Sequence, residues 1–223
     1  MIYLDWIELN ATEAEQWRKD VNAEGAYELP EGKTRIRAAT VPFYDDYKFY
    51  GLADLTKPEP NERYLLGKQG DLNLMDWTNE PIYRANEKAP IKLDRKNVIP
   101  YAKFFFHYVR GQLGRFIIVE KPEEVRWLPQ ATEEDKAKVN ALLMPVTYKG
   151  LNRFNQFTLT AVVVFKNALF RTNILVAPME MDVPDEETGE MEHMTIGQMK
   201  LVGEELLLED LPMPIDGPPT EFG

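Results

Sequence analysis

Five times along this chain, two short apolar stretches flank a turn rich in Gly, Asp or Asn. That repeated pairing constrains the fold more than any other feature. Tight turns join antiparallel strands, whereas parallel strands need long and usually helical crossovers. The pairs are 34–44 with 47–55 around Asp45-Asp46, and 63–66 with 71–75 around Gly67 to Gly70. Next come 103–109 with 115–120 around Arg110 to Gly114, and 157–165 with 169–177 around Lys166 to Ala168. The last is 178–183 with 190–196, where Asp185 to Gly189 has the form of a type I turn closed by a glycine bulge. Helices do not alternate with these strands, so the expected class is α+β. It is a mainly antiparallel sheet or partly closed barrel of successive hairpins, covered by two short helices.

The two helices announce themselves by their starts. Thr12 and Glu15 have capping-box spacing, and Ala14, Trp17 and Val21 then share a face, which predicts a helix over about 12–22. Thr132 with Asp135 predicts a second over 132–143, with Glu134 and Lys138 spaced to pair and Pro145 as a stop. The stretch Phe157 to Phe165 begins by alternating and then turns apolar on both faces, as a central covered strand does. Nine apolar-face residues are expected in the core: Phe105, Phe116, Ile118, Leu159, Ala161, Val163, Phe165, Ile174 and Val176. Residues 195–210 fit helix or strand, since Gly203 weakens the first and Leu206 to Leu208 suits both. With no linker to cut the chain, one globular domain is expected over 1–211. A proline-rich tail follows over 212–223, dispensable for folding beyond about Pro212.

Composition narrows the chemistry. The net charge is −11, which disfavours nucleic acid and anionic membrane surfaces as partners. There is no cysteine and no serine, so thiolate, zinc–cysteine and serine-nucleophile chemistry are excluded. Only His107 and His193 can act as imidazoles. No phosphate-binding glycine loop, HExxH or EF-hand loop occurs, and no pattern calls for a cofactor or a resident metal. The opening MIYLDWIELN lacks a basic region before an apolar run, and no apolar run reaches bilayer length, so a soluble, cytoplasmic protein is expected.

The most distinctive segment is Lys103 to Phe116. In strand geometry Phe105, His107 and Val109 share one face, and Phe104, Phe106 and Tyr108 the other. Its turn carries Arg110 and Arg115, whose forked donors suit carboxylate or phosphate. The candidate ligand-binding residues are therefore Tyr108, Arg110 and Arg115, for a small anionic or planar ligand. The plainer reading is a core strand with two surface arginines and a packed His107. Arg153, Lys166 and Arg171 join the same basic spot if the two hairpins are neighbours. Asp71, Asp76, Glu80 and Asp94 are carboxylates that could act in catalysis or hold Mg²⁺ or Mn²⁺ only if they converge.

With no nucleophile–base set in view, a non-catalytic binding or assembly module is expected, with a protein or a small anion as partner and homo-oligomerisation left open. The alternative is a carboxylate-based, Mg²⁺- or Mn²⁺-dependent enzyme acting on an anionic substrate.

Overall fold

A computed structural model describes residues 4–25, 27–58, 62–89, 91–111, 114–185 and 188–215. It is an α+β structure in which every strand pairing is antiparallel. The described residues form two compact units, one of residues 4–76 and 80–91, the other of residues 77–79 and 92–215.

In the first unit, β1 (Ile7–Glu8) is followed by α1 (Ala11–Ala23). The strands β2 (Thr34–Thr40), β3 (Lys48–Asp54), β4 (Arg63–Lys68) and β5 (Asp71–Leu74) then form a meander in chain order. The first two expected hairpins are both present. Gly67 is required at its turn, because a Cβ there would sit 2.1 Å from the Asp71 carbonyl oxygen. The α1 cap lies two residues earlier than expected. Asn10 Oδ1 accepts from the Thr12 and Glu13 amides, and Glu13 reaches back to the Asn10 amide. Ala14 and Val21 on α1 are buried with Ile36, Leu52 and Leu65 of the sheet.

The helix α2 (Glu80–Lys88) was not expected. Its signals are Pro81 in the first turn, where a missing amide costs nothing, and the spacing of buried Ile82 with Ala85. Across it, Tyr44 donates its hydroxyl to Asn86.

The second unit opens on α3 (Val98–Tyr108), and this corrects the third expected hairpin. Asp94 Oδ1 accepts from the Lys96 and Asn97 amides and turns the chain into the helix. The run Val98 to Tyr108 is apolar nearly all round, the mark of a buried helix as much as of a two-faced core strand. Helical spacing then pairs Tyr101 with Phe105 and Phe104 with Tyr108, with ring centroids 6.5 and 5.0 Å apart. The other arm of that hairpin shrinks to β6 (Ile117–Ile118), which pairs elsewhere.

A 3₁₀ turn (Pro122–Glu124) leads to α4 (Glu133–Asn140). Its Thr132–Asp135 capping box is as expected, and Glu134 and Lys138 pair at 2.7 Å. The strands β7 (Thr147–Leu151), β8 (Phe157–Phe165), β9 (Ala168–Val176), β10 (Met181–Pro184), β11 (Met191–Met194) and β12 (Met199–Leu208) follow. The main sheet runs β12-β9-β8-β6, with β7 also on β8, so β8 is central as its apolar run implied. The path does not close, and β12 and β6 are its two ends.

Residues 199–208 resolve as strand. Gly203 takes φ 62° beside a register shift between Val202 and Glu205, so it marks a bulge in β12. In the β10–β11 hairpin the Gly189 amide donates to the Asp185 carbonyl with φ 73° at Gly189. Positions 186–187 of that turn lie outside the described residues.

Seven of the nine expected core residues are buried. Phe116 and Phe165 are only half-buried, and their rings stack on each other at 4.3 Å. Below β8 and β9, Val119, Val125, Val139, Val162, Val164 and Leu169 enclose Leu211 and Met213. The chain is also held at Pro212, whose carbonyl accepts from the Leu128 amide. Packing thus continues past the point at which the prolines suggested a free tail. Among the described residues no helix is long and apolar enough to cross a membrane.

Candidate functional site

The second unit contains a cleft that opens to solvent. Helical geometry builds one wall. Lys103, Phe106 and His107 stand at i, i+3 and i+4, so they share the face of α3 that lines the cleft. A strand would have put Phe106 and His107 on opposite sides. The floor is apolar: Ile118 of β6 and the adjacent Val119, Val164 of β8, and Met213. Arg115, Glu124 and Arg126 complete the rim.

The polar groups are held by neighbours that fix them. Lys103 is ion-paired to Glu120, whose second oxygen accepts the Val146 amide at 2.9 Å. Glu124 is buried and accepts the Glu120 amide at 2.8 Å. Arg126 is exposed and Arg115 half-buried. His107 meets the ring of Tyr108 edge-on at 4.7 Å. Burial first, and then the nearby Arg115 and Arg126 charges, pull the His107 pKa down to about 4. At neutral pH the cleft therefore holds an uncharged imidazole between two guanidiniums.

That depression has a consequence for stability. The unfolded chain takes up the His107 proton near pH 6.5, before the folded chain does. Stability is complete above that value, declines as pH falls, and levels off below about pH 4. The loss amounts to about 3 kcal/mol at most. A His107→Gln chain should lose less stability than the parent between about pH 7 and pH 4.5. Urea unfolding at both pH values measures it, and equal losses in parent and variant would contradict the assignment.

Of the three residues singled out from the sequence, Arg115 lines the cleft. Tyr108 is buried against Phe104, and Arg110 lays its guanidinium over the Trp77 ring at 4.3 Å while its amide donates to the Trp77 carbonyl. The strand face proposed for Tyr108 does not exist, because Tyr108 ends a helix and Arg110 lies beyond it. Gly111 and Gly114 form a bridge, and positions 112–113 lie outside the described residues. Arg153 and Lys166 stack on their neighbours Phe154 and Phe165, Arg171 pairs with Glu205, and none of them lines the cleft. Lys103, Glu124 and Arg126 went unnoticed in the sequence. The only available signal was the i, i+3, i+4 spacing of Lys103, Phe106 and His107, which a strand assignment hides.

The carboxylates behave differently from an assembled acid site. Asp71 accepts from the Tyr47 hydroxyl and, at 2.8 Å, from Lys88. Burial opposes its charge, but these two hydrogen bonds outweigh burial and hold its pKa below the usual range. Among the described residues no group of three or more Asp, Glu or His comes together to hold a metal ion. Comparison with protein-family models, with curated proteins and with solved structures finds no match.

Proposed function

We propose that this protein is a non-catalytic binding module whose second unit holds a small amphipathic anion. The ligand has an apolar body and a carboxylate or phosphate head. The observation that carries this reading is the cleft itself: an apolar floor of Val119, Val164 and Met213 under a rim bearing Arg115 and Arg126. On a chain of net charge −11, two arginines beside the Glu124 carboxylate on this rim are a departure that favours anions at one place. The neutral His107 adds a donor or acceptor in the α3 wall without adding charge. The carboxylate-enzyme reading has less support, since Asp71 is engaged by Lys88 and Tyr47.

A head-group series tests the reading. Decanoate and decyl phosphate should raise the melting temperature in a saturable way, and decanol should do so far less. The Arg115→Gln/Arg126→Gln chain should bind decanoate at least about tenfold more weakly, since hydrogen bonds to charged groups contribute about 1.5–3 kcal/mol each. Equal effects of decanoate and decanol would refute the anionic head. No effect of any of the three would refute the site.

A further inference from the structure

Five of the nine methionines fall between residues 179 and 199: Met179, Met181, Met191, Met194 and Met199. The β10–β11 hairpin sorts them by face. On β11, Glu192 and Met194 point one way and Met191 and His193 the other, because successive strand residues alternate. The first pair is built into the unit. Met194 is fully buried with its sulfur accepting from Gln156 Nε2 at 2.9 Å, and Glu192 is held by Lys200 at 3.1 Å.

The second pair faces water. Met191 is 66% exposed, unusual for a residue whose ordinary place is a core. Beside it stands the exposed His193, opposite Asp182 in the register of β10. Asp182 Oδ1 lies 2.9 Å from His193 Nδ1. A carboxylate accepts there, so Nδ1 is the donor, and Nε2, on the far side of the ring, is the nitrogen left for another partner. This is how proteins orient an imidazole for a metal: the carboxylate fixes the tautomer and raises the basicity of the other nitrogen. The residue opposite Met191 is Pro184, which brings no competing charge or donor.

We propose that the outer face of the β10–β11 hairpin binds one Cu(I) ion between the Met191 thioether and His193 Nε2, with Asp182 as the positioning residue. The donor set selects the metal. A thioether is soft and favours Cu(I), and imidazole accepts copper as readily as zinc. Hard or borderline divalent ions would want further oxygen or nitrogen ligands, and the Asp182 carboxylate is engaged by the imidazole. Met191 and His193 lie on adjacent same-face positions of one strand, and both are accessible from solvent. This site is independent of the cleft and stands or falls without it.

The test is an anaerobic competition between the full chain and the chromophoric Cu(I) chelator bicinchoninate, with ascorbate keeping copper reduced. The parent should withdraw one equivalent. Met191→Leu and His193→Asn should each weaken uptake at least about tenfold, and Asp182→Asn about tenfold, as loss of an orienting partner does. Met144→Leu, a methionine of the valine-lined core, should leave uptake unchanged. The three hairpin positions are exposed, so the variants should melt as the parent does. No uptake by the parent, or uptake unchanged in either the Met191 or the His193 variant, overturns the proposal.

Discussion

Replacing Phe104 by Ala should destabilise the chain by about 3–5 kcal/mol, and Phe165→Ala by markedly less. Phe104 is fully buried in α3 and packs on Tyr108 one turn later, so truncation leaves a cavity ringed by side chains that cannot collapse into it. Phe165 sits at the last position of β8, half-buried, with Phe116 stacked on its ring and Lys166 Nζ 5.4 Å from the ring centroid. The sequence placed both Phe105 and Phe165 in the core; Phe105 is buried there and Phe165 is not. Urea unfolding of the two variants decides the order. A Phe104→Ala chain no less stable than Phe165→Ala would mean that residues 98–108 do not form the buried helix.

A chain ended at Leu211 should lose about 2–5 kcal/mol, the range for emptying a buried methionine site. Met213 is 3% exposed and lies among Val119, Val125, Val139 and Val164. Pro212 gives its carbonyl to Leu128 at 2.9 Å, so the same cut also releases that amide. Met213→Ala alone should reproduce most of the loss, which separates side-chain burial from chain length. Met213 also lines the cleft, so both changes should weaken decanoate binding. Calorimetry that finds the shortened chain melting at the parent's midpoint would contradict this packing.

Much of the sheet was legible because turn chemistry and apolar alternation act locally. Gly67, Gly189 and the Lys166-Asn167 pair mark turns that the strands on either side confirm. The apolar run of β8 announced a central strand, and the Thr132–Asp135 box announced α4. What was illegible shares one cause. A segment apolar on every side, such as Val98 to Tyr108, has no period that separates helix from strand, and only Asp94 and the helix start near Asn97 could have decided it. That one misassignment split Lys103, Phe106 and His107 across two faces and hid the cleft wall. It also put Tyr108 on a strand face that the helix removes. Arg126 and Met213 were out of reach altogether, since nothing local says that a rim arginine and a residue among prolines meet the same helix.

The central claim is that an amphipathic anion lies in the cleft of the second unit, head toward Arg115 and Arg126 and body on Val119, Val164 and Met213. Nuclear magnetic resonance of the methyl-labelled protein titrated with decanoate tests it most directly. The account predicts saturable shifts of the Met213 methyl and of the Val119 and Val164 methyls, with contacts from ligand methylenes to Met213. It also predicts that Arg115→Gln/Arg126→Gln abolishes these shifts at the same ligand concentration. Shifts confined to other methyls, or equal shifts in the double variant, would contradict it.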